Sequence, residues 1–149
     1  MKNLLEAATA EEVRERMAQL RADSERQWGK MNPAQVLAHC SSAMEVAVGM
    51  KSPPRSFIGR LFGRLAKSKI LSEKPMAHNM PTDKSFVVSD DRDFEAERQR
   101  LRGLIDRFAA GGPAGCTLHP HSFFGPLTPA EWAELSYKHL DHHLRQFDV

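Results

Sequence analysis

The sequence has no apolar run approaching the ~18–20 residues that a bilayer-spanning helix needs, so no transmembrane helix is expected. Its start, Met1-Lys2-Asn3-Leu4-Leu5-Glu6, has neither an apolar core segment nor a small-residue cleavage site, and no secretory signal is expected. Cysteine is scarce. Cys40 and Cys116 are the only two, at a spacing that is no zinc or redox motif, which favours a reducing, cytoplasmic setting. An excess of one charge is missing too. The 21 Lys and Arg against 19 Asp and Glu leave a net +2, too little to point to nucleic acid. There is no internal repeat and no low-complexity tract. What is there is the composition of a soluble globular protein, 41% hydrophobic and 27% charged over 149 residues. That length predicts one domain, 1–149, with room for a real core.

Four stretches have helical periodicity. The first is expected to begin at Thr9, with Glu12 completing a capping box, and to run to Arg26, Val13, Met17 and Leu20 facing inward. Trp28 just beyond reads as a packing plug. The second begins cleanly, with Asn32 as N-cap and Pro33 in the first helical position. Its wheel over 33–50 puts Val36, His39, Ala43, Val46 and Met50 on one face. The third spans 91–110, with Phe94, Leu101, Leu104, Ile105 and Phe108 inward, and Gly111-Gly112-Pro113 stops it. The fourth has Thr128 as N-cap, Pro129 first inside and Glu131 closing a capping box.

Between the second and third helices the pattern breaks. Residues 51–89 are punctuated by Pro53, Pro54, Pro75 and Pro81, and 51–74 contain seven Lys/Arg and one acid. Within them, 57–66 fit a short amphipathic helix. A basic amphipathic piece can meet membrane surfaces or anionic groups. The plainer expectation is a segment folded over one end of the domain with its charges in water. A connection this long is often functional, as a lid is. Residues 86–89 have strand character but no sheet to join. Four amphipathic helices with one long connection after the second make an all-α four-helix bundle.

The histidines are placed by these wheels. On the last helix Trp132, Leu135, Leu140, Leu144 and Phe147 form an apolar face, with His139 and His143 inside it, one turn apart. Glu134, Lys138, Asp141 and Arg145 fall opposite. Two inward imidazoles at i and i+4 are either core-edge histidines, hydrogen-bonded and inert, or ligands to one ion. His39, in the middle of the second helix's apolar stripe, is the third ligand that the second reading needs. Three imidazoles without a fourth protein ligand form an open site rather than a closed structural one. All-nitrogen ligation suits zinc or nickel first, with iron or copper also compatible. Gln35, one turn before His39, and Gln146, three residues after His143, are the candidates for fixing the imidazole tautomers. His142 sits at the edge of the inner face, a candidate support for the ligands or a substrate contact rather than a primary ligand. His119 and His121, in the loop before the last helix, are candidate auxiliary ligands or substrate contacts, or else plain packing residues.

Two stretches also resemble a known family. Trp28-x-x-Met-x-Pro33-x-Gln-x-Leu-x-His39 is one; Phe124-Gly-x-Leu-Thr-x-x-Glu-Trp132, leading to Tyr137-Lys-His-Leu-Asp-His-His-Leu-Arg-Gln-Phe147, is the other. Together they resemble the DUF1569 branch of the DinB-like metal-binding four-helix bundles. The resemblance implies a divalent metal on His39, His139 and His143. Members of that superfamily include thiol-dependent transferases, and related bundles often dimerise through helix faces. The branch tends to place His-Pro directly before Phe-Gly, whereas here His119-Pro120 is separated from Phe124-Gly125 by His121-Ser122-Phe123.

Three functions are therefore expected to compete. One is a metal-dependent enzyme of the thiol S-transferase or hydrolase type, acting on a small molecule with a low-molecular-weight thiol or water. Another is a metal- or ligand-binding stress-response module without turnover. The last is a helical interaction protein whose histidines are structural.

Overall fold

Five α-helices and no strand make up the described residues, 1–80 and 86–149, of the computed structural model. They are α1 (Ala7–Gln19), α2 (Pro33–Ala47), α3 (Phe57–Ile70), α4 (Phe94–Gly111) and α5 (Pro129–Arg145). The all-helical expectation holds and the count is five rather than four. The extra helix is the amphipathic segment of the connection, longer than the 57–66 expected. Residues 86–89 form no strand among the described residues, and Pro81 lies outside them.

α1, α2, α4 and α5 supply one hydrophobic core. α2 packs on α4 and α5, and α1 packs on the same two helices. Val13 and Met17 of α1, Leu37 and Met44 of α2, Ile105 and Phe108 of α4 and Trp132 and Leu140 of α5 are all buried there. Each such side chain is worth about 1.5–3 kcal/mol when fully withdrawn from water. The two helices that carry the histidines start where the sequence says. The Asn32 side chain accepts from the Gln35 amide at 2.9 Å, and Gln35 Oε1 accepts from the Asn32 amide at 3.0 Å. Thr128 and Glu131 make the same reciprocal pair at 3.2 and 2.8 Å. Caps of this kind contribute ~1 kcal/mol each and set the rotational phase of the helix behind them.

Four expectations need correction. α1 starts at Ala7, not Thr9, and Thr9 caps nothing: its hydroxyl donates back to Glu6 at 3.1 Å. α1 also stops at Gln19, because Leu20 turns extended to enter the core and the Gln27 amide is drawn to the Gln146 carbonyl at 2.7 Å. α2 ends at Ala47, since the amides of Met50 and Lys51 both turn back to the Glu45 carbonyl; Met50 is left 54% exposed instead of inward. Lys138 is not solvated. It is 7% exposed, and its ammonium donates to the carbonyls of Ile70, Ser72 and Lys74 at 2.6, 2.5 and 2.7 Å. These lie at and just beyond the C-terminus of α3, where a cation meets the negative end of the helix dipole.

α3 is therefore pinned at both ends. At its start Ser56 donates its amide to the Ser122 carbonyl at 2.9 Å, and its hydroxyl caps Gly59 at 3.0 Å. Along its length Lys67 pairs with Glu131 at 2.6 Å. Between these points Gly59 and Gly63 let the helix lie directly on the backbone of Phe123 and Phe124. A Cβ on Gly59 would sit 2.6 Å from the Phe123 carbonyl oxygen, and one on Gly63 would overlap the same atom. The small face is thus the packed one, and the apolar face points away from the protein.

Candidate metal centre

α2 and α5 bring three imidazoles together. His39, His139 and His143 each offer one ring nitrogen, and these nitrogens all lie within 4.8 Å of one another; the three could hold a metal ion. His39 is buried at 5% exposure, while the other two are half-buried on the α5 side. The Nε2 atoms of His39 and His139 approach to 2.9 Å. Two bare lone pairs would repel at that distance, so a proton or a cation between them is what the geometry requires.

Two of the rings are held by their far nitrogens. His39 Nδ1 donates to the Phe86 carbonyl at 2.8 Å. His143 Nδ1 donates to Gln146 Oε1 at 2.9 Å. The Gln146 amide cannot turn over freely, because its Nε2 donates to the Trp28 carbonyl at 2.8 Å and the residue is 2% exposed. With both Nδ1 protons committed, His39 and His143 present Nε2 as lone pairs toward the cluster. This is the arrangement by which outer partners orient imidazole ligands. Burial holds all three as neutral imidazoles. It pushes His143 down to about 3 and His139 well below its ordinary value, the neighbouring imidazoles adding to both effects. His39 is lowered by burial as well, partly offset by the Phe86 carbonyl. Neutral imidazole is the metal-binding form.

The buried carboxylates are elsewhere and already paired. Glu45 of α2 and Glu97 of α4 share Arg100 at 2.5 and 2.9 Å, and the cluster of potential ligand atoms contains histidines alone among the described residues. Cys40 is buried among core side chains, which drives its thiol pKa strongly upward and keeps it protonated.

The other expected site residues divide. Gln146 reaches His143 as described. Gln35 does not serve His39: its oxygen is used in the α2 capping box and its nitrogen donates to the Asp90 carbonyl at 3.1 Å. The partner of His39 is instead a main-chain carbonyl 47 residues on, which no spacing rule could indicate. His142 is half-buried beside His143, ring centroids 5.1 Å apart, and near Trp28 at 5.5 Å. Trp28 is more than a plug, since its ring stacks on that of exposed His78 at 3.7 Å and 10°. His78, Trp28 and His142 thus form an aromatic group beside the cluster. His78 sits in the aperiodic connection and gave no signal.

His119 and His121 are outside the triad. His119 Nδ1 donates to its neighbour Pro120 at 2.9 Å. His121 uses Nδ1 to accept the amides of Phe123 and Phe124 at 3.1 and 3.2 Å, folding the 121–125 turn on which α3 rests. Burial, with the nearby Arg55 charge, lowers His121 to about 4.

A family model, DUF1569, described as a protein of unknown function, matches residues 1–149. No curated protein and no solved structure matches the chain.

Proposed function

The chain belongs to the DUF1569 family, and we propose that it is a metal-binding protein whose three-histidine centre serves a thiol S-transferase or related reaction on a small molecule. The observation behind this reading is the convergence of His39, His139 and His143, with two of the three tautomers set by Phe86 and Gln146. In the same reading α1, α2, α4 and α5 are the four helices of a DinB-like bundle forming one domain, with α3 added to it. Their pairwise packing supports that assignment.

The donor set fits a divalent transition ion. Three neutral imidazoles suit zinc or nickel, and iron or copper are compatible. An ion held there supplies Lewis acidity toward a thiol or water. The protein's own part is to bind and to orient. His39 and His143 are fixed through Nδ1, and the His139 ring lies beside both, its centroid 4.9 Å from that of His39 and 4.8 Å from that of His143. Trp28, His78 and His142 offer flat ring surfaces for a substrate beside the cluster.

In thiol transfer the sulfur attacks an electrophilic carbon, a carbon–sulfur bond forms, the leaving group departs with its electron pair, and the thiol proton passes to solvent. Because the cluster itself contains no carboxylate, this reaction is favoured over a hydrolysis that uses a carboxylate base.

Elemental analysis of protein purified without chelators tests the centre. One transition-metal equivalent in the wild type, lost in His139→Ala, is expected. Metal-free wild type whose melting temperature does not respond to added zinc or nickel would end the proposal. Turnover of a generic electrophile with low-molecular-weight thiols, abolished by chelation, separates an enzyme from a metal-binding module without turnover.

A further inference from the structure

α3 exposes the side chains that a packed helix hides. Phe57, Ile58, Leu61, Phe62 and Leu65 are 76, 61, 61, 57 and 76% exposed. At 100° per residue they fall in one continuous arc of about 140°. This is not a helix that has failed to dock. The opposite arc, Gly59, Gly63 and Ile70, is buried against the protein, and the Gly contacts with the Phe123 backbone leave no room to roll the helix over. Ser56, Lys67 and Lys138 hold its start, middle and end. The apolar arc is thus presented outward on a rigid mount.

Charge says what would cover it. Arg60 and Arg64 border one side of the arc, Lys69 falls within its far edge in the last turn, and the 14 residues of α3 contain no acid. Two copies joined through this face would bring the α3 cations of both together, with no acid on either α3 to neutralise them. An apolar strip rimmed by cations, on a helix lying flat, matches the interface of an anionic bilayer, where apolar side chains enter the acyl boundary and cations meet headgroups. No helix among the described residues is long and apolar enough to cross a membrane, so the contact would be in the interface plane.

We infer that α3 is a docking helix for an anionic lipid surface, with Phe57, Leu61 and Leu65 entering the interface and Arg60, Arg64 and Lys69 contacting headgroups. The full chain is tested by sedimentation with vesicles of phosphatidylcholine alone and of phosphatidylcholine mixed with phosphatidylglycerol. Binding to the anionic vesicles only, weakened by high salt, is expected. Replacing Leu61→Glu and Leu65→Glu together lowers the partition coefficient by roughly tenfold or more, since both lose interfacial burial. Arg60→Gln and Arg64→Gln cost about fivefold each on anionic vesicles. All four positions face outward, so circular dichroism and melting temperature should match the wild type. Wild type that stays in the supernatant with anionic vesicles overturns the inference, as does equal binding by the glutamate variant. A wild-type dimer that the glutamate variant dissolves, with no vesicle binding by either protein, also overturns it and assigns the face to a second copy.

Discussion

The interior between α2 and α5 holds three imidazoles where apolar side chains would ordinarily pack, while α3 shows water five apolar side chains that could have packed. The two regions reverse the usual sorting in opposite directions, and both are held in that state by main-chain acceptors from the connection between α2 and α4. The Phe86 carbonyl orients His39, and the carbonyls of Ile70, Ser72 and Lys74 receive Lys138, the residue next to His139 on α5. The difference lies in what each region costs the folded state. Buried neutral imidazoles penalise folding whenever they must gain protons. Exposed leucines on a pinned helix cost almost nothing in water and wait for a partner.

Acid should break the comparison most forcefully. His143 and His121 have folded pKa values of about 3 and about 4, below their ordinary 6.5. Between those limits the unfolded chain binds more protons than the folded one. The stability of chelator-treated protein is therefore intact above about pH 6.5 and falls as pH drops, by about 1.4 kcal/mol per pH unit for each imidazole. Urea titrations at a series of pH values check this. A flat profile from pH 7 to pH 5 would mean the imidazoles are solvated.

Next in size is the response to metal. At ~1,000-fold excess over its dissociation constant an ion stabilises the wild type by about 4 kcal/mol, near 10 °C in melting temperature for a chain of this length. His139→Ala should remove most of that gain, as scanning calorimetry with zinc or nickel will show. Lys138→Met keeps the stem but strands three carbonyls, and should cost about 2–3 kcal/mol at any metal concentration. Hydrogen exchange should show the loss concentrated at 70–74, leaving the α2 and α4 core protected.

Gln146→Leu deprives His143 of its acceptor and Trp28 of its donor, and should weaken metal binding about 10- to 100-fold. Competition with a chromophoric chelator measures it. The smallest effect belongs to the outward region: Leu61→Gln should change stability by less than about 0.5 kcal/mol. A larger loss would place Leu61 in the fold's own packing.

What was legible in the sequence is what depends on local phase. Asn32-Pro33 and Thr128-Pro129 announce their helices, and counting residues from those caps puts His39, His139 and His143 inward. What was hidden depends on chain that has no period. A wheel of α5 alone places Lys138 in water; it is buried only because the end of α3 arrives on top of it. Likewise 57–66 read as amphipathic, but sequence offers no reason to turn the apolar side out. That follows from Gly59 and Gly63, whose missing side chains make the small face the closer fit to the Phe123 backbone. Gln35 was the nearest amide to His39 by spacing, yet the cap at Asn32 had the first claim on it.

The bond from His39 to the Phe86 carbonyl makes the seating of one stretch of backbone and the filling of the centre reciprocal events. If seating the carbonyl raises the ion's affinity by some factor, filling the centre must favour the seated backbone by the same factor, whichever comes first. Because the acceptor is a carbonyl that every amino acid possesses, no single side-chain substitution deletes it. The course and length of the 51–89 connection, rather than the identity of residue 86, then become the variables through which affinity can be tuned.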